Sequence, residues 1–172
     1  MASFAPRLSS LAAMLADIHD AAIDDTAERP SRVASAIQCH LHNNDLLLGI
    51  SCPSCPKGYI RHLLHADAEG RYAVVALVWR PGQMSAVHAH LTWCSLGIWR
   101  GVLSEAFYHM AGDDVAPRQK TALIREQGDT SSGPADLTLI HRLANLGAAE
   151  ATSIHVYGAS FDRFGTDVNH TF

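Results

Sequence analysis

Pro81-Gly82-Gln83-Met84-Ser85-Ala86-Val87-His88-Ala89-His90-Leu91-Thr92-Trp93-Cys94, continued to Gly101, is the stretch on which the reading of this chain turns. An apolar, β-prone run over 71–79 precedes it, and Pro81-Gly82 then imposes a tight turn, so residues 86–94 read as the returning strand. In an extended chain residues two apart share a face. His88 and His90 therefore present two imidazoles to the same side and can serve one metal ion. A bare His-x-His carries little information, so the remainder of the chain has to supply a third ligand, a pocket and a handle for substrate.

From residue 59 onward the chain is a series of short β-prone runs at 59–65, 71–79, 86–94, 95–109 (a bent pair around Gly101), 121–125, 137–143 and 151–157. Turn signals separate them at Gly70, Pro81-Gly82, Gly112-Asp113, Gly133-Pro134 and 145–147. Evenly spaced strands of this length predict a mainly β fold, an antiparallel sandwich or small barrel whose interior strand-borne histidines can reach. Upstream, Leu8, Leu11, Ala12, Leu15, Ile18 and Ala22 recur at helical spacing and predict an amphipathic helix over 8–27. Pro30 restarts the chain, and Val33, Ala34, Ile37 and Leu41 predict a second helix over 30–42, stopped by Asn43-Asn44. The expected organisation is one domain over 1–172, with a helical cap at 1–45 packed on a barrel at 59–165.

Composition narrows the function classes. At 172 residues, 48% hydrophobic and 17% charged, the chain reads as a soluble globular protein. A net charge of -4 and only two lysines, Lys57 and Lys120, provide no basic face for nucleic acid or an anionic membrane. Asp17 and Asp20 interrupt the apolar N-terminal stretch, which does not read as a signal peptide, and no window approaches the roughly 20 apolar residues of a membrane helix. Four scattered cysteines, Cys39, Cys52, Cys55 and Cys94, point to a reducing cytoplasm. Cys52-x-x-Cys55 sits in a Pro- and Gly-rich loop at 49–58 without a partner pair at zinc-site spacing, and reads as two free thiols. Among eleven histidines, His19, His40, His42, His109 and His170 read as solvated or packed side chains.

The spacing Gly82-x5-His88-x-His90-x3-Cys94-x6-Gly101 resembles the first motif of the cupin superfamily, with Cys94 in the place of its Glu. Gly133-Pro134 followed by His141-x3-Asn145 resembles the second cupin motif, whose histidine completes the metal site. The resemblance implies a cupin-type small β-barrel, antiparallel and double-stranded jelly-roll-like, with the N-terminal α-helices packed on it. Three neutral imidazoles on one face of a metal leave the opposite face open, as an iron that must meet both substrate and O2 requires. Without the carboxylate the site carries more positive charge and attracts an anionic donor such as a thiolate.

From about residue 59 to 162 the chain is similar to thiol dioxygenases of the cysteine dioxygenase type. Trp79 before the turn, Trp93 in His90-x-x-Trp93, and Ile140-His141-Arg142 carry the likeness as well. The resemblance implies Fe(II) held by His88, His90 and His141, with a small-molecule thiol and O2 as partners. Ser153-Ile154-His155-Val156-Tyr157 resembles the family's outer-sphere triad, whose alternate residues share one face of a strand. It implies that Tyr157 places its hydroxyl beside the substrate while Ser153 and His155 orient it. Cys94 matches the cysteine that forms a thioether to that tyrosine in animal members, and is here either crosslinked or a free buried thiol.

Arg61, in Tyr59-x-Arg61, matches the arginine that grips the substrate carboxylate, where relatives preferring 3-mercaptopropionate carry Gln. Tyr59 and Trp79 complete the expected substrate pocket. Departures from the family pattern are Ala89 for the usual acidic residue, Phe164 where animal enzymes carry a second pocket cysteine, and an end at Phe172 before the usual tail. The expected activity is oxidation of L-cysteine to cysteine sulfinate by a monomer or weak homo-oligomer. Other thiols (3-mercaptopropionate, mercaptosuccinate, ergothioneine) and a non-catalytic metal- or thiol-binding sensor remain alternatives.

Overall fold

The computed structural model describes residues 9–112 and 115–172. Leu8 of the first predicted helix and Asp113 of one predicted turn lie outside them. Two helices come first, α1 (Ser10–Ala22) and α2 (Arg29–Gln38). Nine of the ten strands among the described residues follow, with no further helix described between them: β1 (Ile60–Ala66), β2 (Ala73–Trp79), β3 (His88–His90), β4 (Cys94–Arg100), β5 (Leu103–His109), β6 (Arg118–Arg125), β7 (Thr130–Gly133), β8 (Asp136–Ala144) and β9 (Ala151–Tyr157). A 3-10 turn at Phe161–Arg163 then leads to β10 (Asn169–Thr171). The strands form two five-stranded antiparallel sheets, ordered β1-β2-β9-β4-β7 and β10-β3-β8-β5-β6. The predicted mainly β architecture with N-terminal helices is the one observed.

Strand β2 is buried at every position because both its faces are covered. Alternate residues Val74 and Ala76 face the helices, in a cluster with Ile18, Val33, Ile37, Leu41, Tyr72, Trp99, Ile154 and Val156. The residues between them, Ala73, Val75, Leu77 and Trp79, face inward with Leu96, Ile98, Leu103, Leu143 and Tyr157. Polar ties fix the helices on that outer face: Ser95 Oγ donates to the Pro30 carbonyl at 2.6 Å and Trp99 Nε1 to that of Asn43 at 2.9 Å. Each large apolar side chain buried in this seam contributes about 1.5–3 kcal/mol.

Both helices are shorter than their apolar patterns predict. α1 stops at Ala22 because Asp24 and Asp25 turn to Arg32 and Arg29, with ion pairs of 2.6 and 2.5 Å. α2 ends at Gln38, and an i→i+3 bond from Leu41 N to the Gln38 carbonyl tightens the next turn while Leu41 stays fully buried.

The expected strand over 86–94 is in fact a crossover. Its extended part is limited to His88–His90 in one sheet. Leu91-Thr92-Trp93 then bend, held by Leu91 N to the Val168 carbonyl (2.9 Å) and Thr92 Oγ to that of Gly158 (2.7 Å). Cys94 opens β4 in the other sheet, so the histidine pair and Cys94 approach the interior from opposite walls. Gly101, which closes the motif, has φ +75°, and a Cβ there would lie 2.9 Å from Ala151 Cα; only glycine makes this β4–β5 turn against β9. β7 and β10 lack any apolar alternation (Thr-Ser-Ser-Gly, Asn-His-Thr) and so escape prediction; their partners β4 and β3 supply the ladder.

Candidate metal centre

His88 and His90 stand on β3 and His141 on β8, with His88 directly opposite His141. A register shift between His88 and His90, after which His90 pairs with Asp136, re-aims the strand. One ring nitrogen from each histidine lies within 4.8 Å of the other two, and the ring centroids are 4.6–5.0 Å apart. His88 Nδ1 donates to the Ala86 carbonyl at 3.0 Å, which leaves Nε2 with a lone pair. That Nε2 faces His90 Nε2 at 3.1 Å. Only a proton on His90 Nε2 or a metal cation can be accommodated between two such nitrogens. His141 Nε2 is buried with no partner in the protein.

Burial and then the neighbouring rings hold His88 and His90 neutral: His88 is lowered to about 4, and His90 to about 2. Neutral imidazoles with converging lone pairs are the donor set a divalent metal takes.

Glu105, on β5, fixes the orientation of His141. Its carboxylate is 0% exposed in a largely apolar interior and takes hydrogen bonds on both oxygens. Oε1 accepts from His141 Nδ1 and Ser131 Oγ, each at 3.0 Å, and Oε2 accepts from Arg125 Nε at 2.8 Å and is ion-paired with Nη2 at 2.7 Å. Burial pushes the carboxyl up, but His141 and Arg125 outweigh it and the net shift is downward, so the group is an anion. An anion at Nδ1 holds the proton there and keeps Nε2 free for a metal.

On the other wall β9 carries a buried relay. Trp79 Nε1 donates to Ser153 Oγ at 2.9 Å, Ser153 Oγ meets His155 Nε2 at 2.8 Å, and His155 Nδ1 meets Tyr157 Oη at 3.1 Å. Indole N–H can only donate, so Ser153 Oγ is the acceptor from Trp79. With His155 carrying its proton on Nδ1, the hydrogen bonds run in one direction from Ser153 through His155 to Tyr157. Burial raises the Tyr157 phenol well above its usual value and lowers His155 well below its own, so both are neutral. Tyr157, the three histidines, Arg61, Tyr59, Trp79 and His155 line one cavity. Tyr59 stacks on Trp79 with centroids 4.3 Å apart, and the Arg61 guanidinium lies 5.6 Å from the Tyr59 ring.

The family description "Cysteine dioxygenase type I" matches residues 9–166. This chain belongs to the cysteine dioxygenase type I family. Among solved structures, the TT1209 protein from Thermus thermophilus is similar at 16% identity over 62% of this chain and 89% of its own, with a TM-score of 0.50. A cupin-superfamily sugar phosphate isomerase from Silicibacter pomeroyi matches at 22% identity over 60% of this chain and 61% of its own, TM-score 0.46. An RmlC-like cupin from Desulfovibrio desulfuricans matches at 15% over 64% and 92%, TM-score 0.45. Mainly β, with two antiparallel sheets and two helices, the chain has cupins among its structural neighbours.

In this cysteine dioxygenase family member the residues singled out from sequence fall into one place, with a division of labour. Tyr59, Arg61, Trp79, His88, His90, His141, His155 and Tyr157 share the cavity, while Ser153 stands behind it, 0% exposed, in the relay. Cys94 is the cross-strand partner of Tyr157 and lines a second, apolar cavity with His90, Glu105, Phe107 and His141. Burial pushes its thiol well up, which makes it a neutral thiol and not a thiolate. Phe164 packs edge-on against Tyr157 at 5.1 Å.

Cys52 and Cys55 are free and half-buried in the loop before β1, away from the histidine group. His19 and His40 serve the helices, through Tyr72 (3.0 Å) and Asp17 (2.7 Å). Sequence reasoning missed Glu105 and Asn169. The first is signalled only by a charge in the interior of a strand, Leu103–His109, and the second by nothing local.

Proposed function

We propose that this protein is a mononuclear Fe(II) thiol dioxygenase that oxidises a small thiol carboxylate, L-cysteine foremost, to its sulfinate. The observation that carries the reading is the content of one cavity: three converging imidazoles, an arginine and a tyrosine hydrogen-bonded to a buried histidine. Iron held by His88, His90 and His141 would supply the centre at which thiolate and O2 react, both oxygen atoms ending on sulfur.

The protein's own residues account for the rest. Arg61 offers a planar fork to the substrate carboxylate and so sets which end of the molecule reaches the histidines. Tyr157, neutral through burial, donates a hydrogen bond toward the oxygen being transferred, and the relay from Trp79 through Ser153 and His155 holds its ring and proton in place. Leu77, Leu96 and Leu143 close the cavity against bulk water. Four free cysteines suit a reducing compartment, and no helix among the described residues is long and apolar enough to cross a membrane.

The test is O2 uptake by the Fe(II)-loaded protein against L-cysteine, 3-mercaptopropionate, mercaptosuccinate and ergothioneine, with the product identified by mass. One O2 consumed per sulfinate formed is expected, fastest with L-cysteine. The absence of uptake with every thiol overturns the proposal.

A further inference from the structure

Among the described residues four buried side-chain polar atoms have no partner in the protein: Arg61 Nε, His141 Nε2, Arg142 Nε and Asn169 Oδ1. Three of the four, those of Arg61, His141 and Asn169, belong to residues lining the one cavity described above. Buried polar groups are nearly always paired, so a cavity that collects three unpaired ones describes its ligand. Arg61 Nε is a donor and asks for an anion. His141 Nε2 is a lone pair in the histidine group. Asn169 Oδ1 is an acceptor and asks for an N–H or O–H donor.

Asn169 is firmly placed. It opens β10, its Cα stands opposite His90 in the β3 ladder, and the neighbouring Val168 is 0% exposed in the interior cluster. The backbone on either side is tied by Leu91 N to the Val168 carbonyl at 2.9 Å and Phe172 N to that of Val87 at 3.1 Å. The side chain thus reaches the cavity from the sheet that carries the histidines, while Arg61 reaches it from the opposite sheet.

We propose that Asn169 is a specificity-determining residue: its amide oxygen accepts a hydrogen bond from the amino group of an α-amino thiol acid whose carboxylate Arg61 holds. The inference rests on the thiol dioxygenase reading and adds the part of the substrate that reading leaves open. An α-amino thiol acid brings the anion and the N–H donor on one carbon. 3-Mercaptopropionate has the carboxylate alone and leaves Oδ1 buried and unpaired, and a mercapto-dicarboxylate sets a second anion against its lone pairs.

The experiment compares wild type, Asn169→Leu and Asn169→Asp as iron-loaded full-length protein, with iron content measured for each. Neither substitution touches the backbone ladder. Binding of L-cysteine, 3-mercaptopropionate and mercaptosuccinate is read by anaerobic calorimetry, and kcat/KM by O2 uptake. Asn169→Leu should weaken L-cysteine about tenfold and leave 3-mercaptopropionate within about twofold. Asn169→Asp, which keeps an acceptor, should hold L-cysteine near the wild-type value. Equal losses for both thiols in Asn169→Leu, no change for either, or a wild-type preference for mercaptosuccinate overturns the inference while the thiol reading stands. A wild type that binds none of the thiols overturns both.

Discussion

Replacing Glu105 by glutamine removes the carboxylate that holds His141 from outside the histidine group. The carboxylate takes three hydrogen bonds, from His141 and Ser131 on one oxygen and from Arg125 Nε on the other, and a further ion-pair contact from Arg125 Nη2. Glutamine has one carbonyl oxygen, so one pair of donors must face its NH2 group instead. If the oxygen stays with Arg125, the NH2 group faces His141 Nδ1 and favours the tautomer with Nδ1 bare and the proton on Nε2, the nitrogen a metal needs. If the oxygen turns to His141, the Arg125 guanidinium, 19% exposed, loses its counter-ion.

Either way the ligand set weakens. Loss of such an outer partner lowers metal affinity by about 10- to 100-fold, equivalent to about 1.4–2.7 kcal/mol. The mismatch in the metal-free protein costs a further ~1–3 kcal/mol of folding stability. Affinity is measured by competing Fe(II) against a chelator of known strength, and stability by urea unfolding of the metal-free protein. Glu105→Asp serves as the control that keeps the charge. Iron affinity within about twofold of wild type in a Glu105→Gln protein that unfolds normally would refute the role assigned to this carboxylate.

Three further outcomes are expected. Arg61→Gln should raise KM for L-cysteine by about 10- to 100-fold with iron content unchanged, because a bidentate charged contact becomes a neutral one; an unchanged KM places the carboxylate elsewhere. Cys94 faces Tyr157 across the β4–β9 ladder, and after turnover with iron and O2 the intact denatured chain should include a species two hydrogens lighter, absent in Cys94→Ser. A mass equal to the unmodified chain under those conditions rules out a thioether. The pH dependence of the metal-free fold has a definite sign. His88 is lowered from 6.5 to about 4 in the folded protein, so between those values the unfolded chain binds the additional proton. The stability contributed is full above about pH 6.5 and is lost as pH falls toward 4, with His90 and His155 acting in the same direction. Urea midpoints that stay flat between pH 7 and 5 would contradict the buried, neutral state of these rings.

Much of the site was legible locally because the relevant geometry is local. Ser153, His155 and Tyr157 alternate on a strand whose bounds, Ala151–Tyr157, are those the pattern predicts. The period-two rule also aligned His88 with His90, although the strand holding them is only three residues long. Where prediction failed, long-range contacts had overridden local pattern. The run over 86–94 is β-prone throughout, yet bonds from residues 91 and 92 to Val168 and Gly158 bend it into the opposite sheet. β7 and β10 have strand geometry only because a neighbour lends them a ladder.

By itself the sequence determined the candidates: the histidines through motif spacing, and Arg61 and the set Ser153, His155 and Tyr157 through resemblance to a family pattern. Only the tertiary structure decided how those groups are charged and aimed. Glu105 reaches His141 across 36 residues of sequence, Arg125 balances that carboxylate from β6, and Asn169 enters from the last strand. Such partners are set by strand register between sheet neighbours, and a hydrogen bond across a ladder leaves no periodic trace in the chain that makes it.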